Sequence, residues 1–233
     1  MREGLRFCAW RAGYEGVGIE RHNRSNHEQK ALMETERSLI YVPVLHSAGD
    51  MGSLAGAIPR PTEYSAQVGR YWDAVEADFH AMGSQWQEVR VYQDGMPDTR
   101  PDIVARIVAD VDSPNYRLLR WLASAGAVVT GTEDPVLLQE EYELLKASVT
   151  DEAARQAYAA RAAGLLESRD RYIATRIDDT LPSAGTGVLF IGLQHEVARI
   201  LPPDIQVTSL RSCHELLSSV VRKLGIARAK GQG

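Results

Sequence analysis

The fold is decided by VLFIGLQH, residues 188–195. The first four residues are all apolar, and their branched and aromatic side chains indicate a strand that is buried on both faces. Strands of this kind belong to parallel sheets that helices cover on both sides. The stretch therefore predicts an α/β domain, and it places His195 shortly after a buried strand.

Other strands and helices are predicted on both sides of this stretch. Apolar residues at 39–45 indicate a second buried strand, which ends directly before His46. Pro43 removes one donor from that strand, which favours an edge or irregular position. The remaining predictions are a loop at 47–61, strands at 86–92, 127–129 and 205–210, and helices at 63–82, 100–111, 115–125, 134–148, 151–181 and 212–224. Because strands alternate with helices, the chain predicts a small, mostly parallel sheet covered by helices, with a helix-rich middle section.

The domain organisation follows from length and local composition. The chain has 233 residues, of which 44% are hydrophobic and 24% charged, and such a chain suits a single α/β domain at 33–226. Residues 1–32 show no helical or strand period and are predicted to be a disordered leader. A second hypothesis is that translation begins at Met33. Residues 227–233 are predicted to be a flexible tail.

Composition also bears on partners and location. The net charge of −5 and the lack of a basic stripe argue against nucleic-acid binding. No apolar run approaches the roughly 20 residues that a membrane span needs. Cys8 and Cys213 have no metal or redox spacing, so a reducing, cytoplasmic location is expected. The chain has no phosphate loop, no dinucleotide fingerprint and no Gly-x-Ser-x-Gly elbow.

Candidate functional side chains follow the predicted strands. Ligands of open α/β sheets bind at the carboxyl ends of strands, and those ends carry His46, Asp94, Glu133 and His195. Imidazole and carboxylate groups together suit a divalent metal ion, so these four residues are the predicted metal ligands. A metal with an open coordination position generates a hydroxide near neutral pH. We therefore expect a pocket for a small-molecule substrate or ligand at this edge of the sheet.

Several acidic residues near these strand ends have a structural interpretation as well. Asp94 precedes Gly95 in a pair typical of turns, and Asp134 precedes Pro135 in a pair typical of helix starts. Asp50 lies in a glycine-containing loop, where it either serves the site or forms a turn. Glu133 has no structural interpretation of this kind, which makes it the stronger candidate.

The long predicted helix carries two charged residues among apolar ones. Arg169 lies four residues after Leu165 and four before Ile173, so it interrupts an apolar face. A buried charge is costly unless it is paired. Arg169 either extends outward to solvent or faces the strand ends, where it would hold a substrate anion or orient a carboxylate. Asp170 is a candidate binding residue beside it.

The order of these motifs resembles the superfamily of erythromycin esterases, ChaN-type haem-binding proteins and TraB/TIKI proteins. The resemblance covers about residues 38–224 and is strongest from Arg169-Asp170 to His195, where a buried strand ends in Gly-x-x-His. It implies a first-strand histidine, here His46, and a later Gly-x-acidic stretch, here 131–134. The sequence departs from the pattern in two places. Pro43 replaces a glycine of TIKI-like members, and only Asp94, or Glu88 within the strand, is available as the second-strand acidic residue.

Three functional hypotheses follow. The first is a metal-dependent hydrolase of ester or peptide bonds in which His46, Glu133, Arg169 and His195 are catalytic, with Asp50 and Asp170 as binding residues. The second is a non-catalytic protein that binds or senses a small molecule, haem or a metal in the same pocket. The third is a structural or interaction subunit in which the helix at 151–181 provides a partner surface. The resemblance does not choose among them, because one fold supports many functions.

Overall fold

All strands of the described chain form one parallel sheet. The computed structural model describes residues 36–47, 49–50, 63–83, 85–147 and 151–224, so the predicted leader, the start at Met33 and the predicted tail lie outside the described residues. The strands are β1 (Arg37–Val44), β2 (Arg90–Gln93), β3 (Val128–Thr130), β4 (Thr186–Gly192) and β5 (Ile205–Ser209). They lie in the order β3-β2-β4-β1-β5, and every pair is parallel. The predicted α/β class is therefore confirmed.

The described residues form six α-helices, of which five lie between strands. They are α1 (Tyr64–Ala81), α2 (Pro101–Asp110), α3 (Pro114–Ser124), α4 (Pro135–Lys146), α5 (Glu152–Thr180) and α6 (Arg211–Leu224), and a 3-10 turn spans Val197–Arg199. Ser113 caps α3 by accepting from the backbone N–H of Tyr116 at 3.2 Å. Asp134 caps α4 by accepting from the backbone N–H of Val136 at 2.7 Å. The predicted cap role of Asp134 is confirmed. Helices α3 and α4 both start with proline, which has no backbone N–H. This causes no loss, because the N–H groups of a first turn have no partner within the helix.

The two faces of the sheet are covered differently. Helices α1, α2, α3 and α6 cover one face, and α5 covers the other. Strand β4 shows this directly, because Val188 and Phe190 pack into the first cluster whereas Leu189 and Ile191 pack against α5. All four side chains are fully buried, as the opening stretch predicts.

The second strand starts later than its sequence pattern suggests. The predicted strand at 86–92 is wrong at its start, because residues 87 and 88 form a turn and Glu88 has a φ of 69°. Trp86 is buried in this turn and packs against the rings of Phe79 and Trp121, with centroids 5.4 and 5.9 Å away. Trp86 is therefore buried although it lies in a turn, and its apolar side chain gave residues 86–92 the alternating pattern of a strand. Glu88 is not a strand residue, which leaves Asp94 as the acidic residue at the end of β2.

Pro43 is accommodated inside the sheet. Strand β1 lies between β4 and β5, so it is not an edge strand as one interpretation of Pro43 predicted. Pairing with β5 ends at Tyr41 and Ser209, whereas pairing with β4 continues to Val44 and Gly192. Pro43 therefore lies beyond the end of β5, where its missing donor removes no pairing on that side.

The helices of the described ranges were also compared with the requirements of a bilayer. None of them combines the length and the apolar character that crossing a membrane requires. The longest, α5, carries charged side chains along most of its length.

Candidate functional site

Three neighbouring strands end at the same edge of the sheet. Val44 of β1 pairs with Gly192 of β4, and Gln93 of β2 pairs with Phe190 of β4. His46, Asp94 and His195 follow these strand ends. Together with Glu133, Arg169 and Asp170, they form what we call the strand-end centre.

His195 is held by Asp170 of α5. The Nδ1 atom of His195 lies 2.5 Å from Oδ1 of Asp170, and Oδ2 of Asp170 accepts from the backbone N–H of Glu196 at 2.8 Å. Both side chains are more than nine-tenths buried. The other ring nitrogen, Nε2, lies 3.6 Å from Oδ1 of Asp94, which is too long for a hydrogen bond. One side of the ring is therefore fixed, and the other faces the strand-end centre.

The surroundings of His195 favour its protonated form. Burial alone lowers the pKa of His195, but the hydrogen bond to Asp170 and the negative charge of Asp94 outweigh it. Arg169 opposes these two effects. The net result is that the pKa of His195 lies above its ordinary value of 6.5.

This raised pKa predicts a pH dependence of stability. A histidine whose pKa is higher in the folded state stabilises the fold fully below its unfolded pKa, and this contribution is lost as the pH rises through the folded pKa. We expect the free energy of unfolding to fall as the pH is raised above 6.5, and to fall less in His195→Gln. Denaturant titrations at several pH values measure both slopes. Equal slopes in the two proteins would contradict the assignment.

Asp94 connects β2 to β4. Its Oδ2 accepts from the backbone N–H of Gly192 at 2.8 Å. A Cβ atom at Gly192 would lie 2.8 Å from that same oxygen and 4.0 Å from Nε2 of His46, so only glycine permits this close approach. Burial opposes ionisation of Asp94, but the charges of His195, Arg169 and His46 outweigh it and hold its pKa at about 2. Asp94 is therefore a carboxylate at neutral pH.

Arg169 joins three carboxyl groups. Its Nε and Nη2 atoms donate to the two oxygens of Glu133 at 2.5 and 2.9 Å. Nη2 also donates to Oδ1 of Asp94 at 3.0 Å, and Nη1 donates to Glu141. The side chain of Arg169 is 5% exposed and that of Glu133 is fully buried. The inward orientation of Arg169 is therefore the one that the structure shows.

Glu133 is committed to this ion pair. In addition to Arg169, its Oε1 accepts from the backbone N–H of Gly95 at 2.6 Å. Burial raises the pKa of Glu133, Arg169 lowers it, and the charge of Asp94 raises it again, so that it stays above its ordinary value. The pKa of Arg169 is raised as well: burial lowers it, but the carboxyl groups of Glu133, Asp94 and Glu141 outweigh that effect. Arg169 is therefore permanently charged.

The predicted site residues are thus largely brought together, but with different partners. Arg169 donates to protein carboxyl groups, so it orients carboxylates, which is one of its two predicted roles. Asp50 accepts from the backbone N–H of Ser47 at 2.7 Å, so one of its carboxyl oxygens is bound to the residue after His46. Within the described ranges, no group of three or more His, Cys, Asp or Glu side chains is arranged to hold a metal ion. Glu133, one of the predicted ligands, has both oxygens occupied.

The sequence prediction missed two residues near the centre. Tyr41 of β1 packs against the cluster under α5, and burial, together with the charges of Asp170 and Asp94, raises the pKa of its phenol. Alternation along β1 could have identified it, because Tyr41 lies on the same strand face as Leu39. Glu141 on α4 reaches Arg169, and no sequence signal distinguishes it from its acidic neighbours on that helix.

Comparisons with known proteins identify no relative of this chain. No protein-family model, curated protein or solved structure matches the chain. The resemblance to the erythromycin esterase, ChaN and TraB/TIKI superfamily therefore stays a prediction that rests on the order of the motifs.

Proposed function

We propose that the protein is a hydrolase of ester or amide bonds, with His195 as its general base. The observation that carries the proposal is the buried pair of His195 and Asp170, which leaves Nε2 facing the strand-end centre. An imidazole fixed by a carboxylate at Nδ1 is the arrangement that activates water or a hydroxyl in many hydrolases.

The geometry supports a sequence of proton transfers. Asp170 accepts a hydrogen bond from Nδ1–H, so neutral His195 presents a lone pair at Nε2. Nε2 takes a proton from water while the water oxygen attacks the carbonyl carbon of the substrate. When the bond to the leaving group breaks, Nε2 returns this proton to the leaving oxygen or nitrogen. Asp170 stays ionised and stabilises the imidazolium that forms in between.

Side chains around His195 have supporting roles in this reaction. His46 lies beside Gly192 and Asp94, which places a second imidazole within the strand-end centre. The raised pKa of Tyr41, which burial causes, keeps its phenol protonated, so it is available as a donor to a developing oxyanion. Arg169 and Glu133 hold Asp94 in place and do not contact substrate in this proposal.

A divalent metal ion at the same centre is the second candidate. The favouring observation is again Asp170, because metal-bound histidines commonly donate their second ring N–H to a carboxylate. Nε2 of His195, Asp94 and His46 would then be the ligands, but they would have to move toward one another, because no group of the described residues is arranged to hold a metal ion. The metal would supply a hydroxide. If these residues bind a metal ion or a small molecule but the protein hydrolyses no substrate, it is a binding or sensing protein.

The test combines an activity panel with metal analysis. Protein purified without chelator is assayed on ester, peptide and phosphoester substrates, and its metal content is measured. We expect hydrolysis of carbonyl compounds, reduced about 10²–10⁴-fold in His195→Gln, and His80→Gln serves as control because His80 is exposed on α1. Full activity in His195→Gln would exclude the proposal. Stoichiometric metal in wild-type protein, lost in that variant, would favour the second candidate.

A further inference from the structure

The three carboxyl groups around Arg169 differ in their exposure to solvent. The side chain of Glu133 is fully buried and that of Asp94 is 8% exposed, whereas that of Glu141 is 35% exposed. Glu133 and Asp94 bind the Nε and Nη2 atoms of Arg169, and Glu141 binds Nη1. The buried ion pairs of the strand-end centre therefore extend toward solvent on the Nη1 side of the guanidinium group, where Glu141 lies.

The two buried carboxyl groups are also tied to the backbone. Glu133 accepts from the N–H of Gly95 at 2.6 Å, and Asp94 accepts from the N–H of Gly192 at 2.8 Å. Among the described residues, the side-chain hydrogen bond of Glu141 is the one that it accepts from Arg169. Glu141 is therefore the partner of Arg169 that can leave at the lowest cost.

The helix that carries Glu141 is weakly held. None of the 12 residues of α4 is buried. Besides Glu141, its charged contact with α5 is an ion pair of Glu140 and Arg161 at 2.8 Å, and both of these side chains are exposed, so the pair contributes little. Helices with few buried contacts open at a lower free energy than the core. Motion of α4 would remove Glu141 from Arg169 without disturbing the buried pairs.

Glu141 presents to Arg169 the same chemical group that a small organic acid would present. Guanidinium N–H groups form charge-assisted hydrogen bonds with carboxylates, and these are among the stronger hydrogen bonds in proteins. Exchange of the Glu141 carboxylate for that of a ligand leaves the charge beside Arg169 unchanged. The exchange therefore needs no further proton or cation.

We propose that Nη1 of Arg169 is the binding site for the carboxylate of a small-molecule ligand, and that Glu141 occupies this position as an autoinhibitory contact. Binding of the ligand displaces Glu141 and loosens α4, while Glu133 and Asp94 keep the guanidinium group in place. This inference goes beyond the proposed function, in which Arg169 contacts only protein groups, and it does not rest on that function.

The position of the site relates the ligand to His195. Nη2 of Arg169 and Nε2 of His195 lie 3.0 and 3.6 Å from the same atom, Oδ1 of Asp94. A carboxylate on Arg169 and a carbonyl group beside His195 can therefore belong to one small molecule. If the proposed hydrolysis occurs, its substrate is expected to carry a carboxylate close to the scissile bond.

The first test is chemical rescue of Glu141→Ala by sodium acetate. Alanine is a good helix former, so this variant removes the contact without weakening α4 itself. We expect its thermal midpoint to lie about 2–4 °C below that of wild type, and acetate to restore this loss whereas NaCl of the same ionic strength does not. Glu143→Ala is the matched control, because Glu143 is an exposed residue of α4 that pairs with Lys146. An acetate response of Glu141→Ala no larger than that of Glu143→Ala would overturn the proposal.

The second test uses the wild-type protein and measures backbone hydrogen exchange. Acetate that displaces Glu141 should make the amides of α4 exchange several-fold faster than in NaCl of the same ionic strength, because α4 loses its contact with Arg169. The amides of α3, which contains buried residues, serve as the internal control and should not change. Equal exchange of α4 in the two salts would overturn the proposal. Neither test measures hydrolysis, so failure of the proposed function leaves both results interpretable.

Discussion

Replacing Arg169 by methionine is expected to lower the free energy of unfolding by about 3–5 kcal/mol, because it leaves buried carboxylates without their cation. Glu133 is fully buried, Asp94 is nearly so, and both are held by the same guanidinium group. Methionine fills a similar length but provides no charge and no donor. Both carboxyl groups would then have to take up protons or rearrange.

Denaturant unfolding measures this loss, and Arg171→Met is the matched control. Arg171 lies on the same helix, but both it and its partner Glu167 are about two-thirds exposed, so its replacement should change stability by less than about 0.5 kcal/mol. If Arg169→Met does not fold, Arg169→Lys keeps the charge while losing the paired contact with Glu133. An intermediate stability of the lysine variant would support the role of charge. A wild-type stability of either Arg169 variant would show that the buried ion pairs contribute little.

Replacing Asp170 by asparagine is expected to reduce kcat for hydrolysis by about 10⁴-fold while changing KM little. This prediction rests on the proposed function. Asparagine keeps the size of the side chain, but its amide N–H groups favour the wrong tautomer of His195, in which Nδ1 carries the lone pair. Because the hydrogen bond to Asp170 also raises the pKa of His195, the pH at which activity is lost on the acidic side should fall in this variant.

Steady-state kinetics across pH separate these two effects. Asp179→Asn is the control, since Asp179 is an exposed acidic residue of the same helix and should leave both kcat and the pH profile unchanged. A uniform loss of activity at all pH values with a lowered thermal midpoint would indicate a structural role for Asp170. A loss of less than tenfold would contradict the assignment of His195 as general base.

The parts of the fold that were predictable from sequence are those in which burial follows a simple period. Strand β4 is buried on both faces, so its apolar run identified the class of sheet and the position of His195. Parallel strands share one edge for their carboxyl ends, so the sequence alone groups His46, Asp94 and His195. The start of β2 could not be placed, because Trp86 is buried by ring packing in a turn and imitates a strand residue.

The partners of the charged residues were less predictable. The spacing of Arg169 showed that it interrupts an apolar face, but spacing alone allowed both the exposed and the buried orientation. Its partners Glu133 and Glu141 lie 36 and 28 residues away in sequence, and such pairings depend on how the helices pack on the sheet.

One helix, α5, supplies both Arg169 and Asp170, and among the described α-helices it is the one that packs on its face of the sheet. Adjacent residues of a helix are about 100° apart, so these two side chains diverge from one short segment toward different partners. Adding or deleting one residue between Asp170 and Leu181 would turn both side chains away together, since α5 is anchored by its buried C-terminal half. Changes in the exposed N-terminal half would leave them in place. We therefore expect insertions and deletions in this helix to be tolerated on the N-terminal side of the pair and to disrupt the strand-end centre on the other.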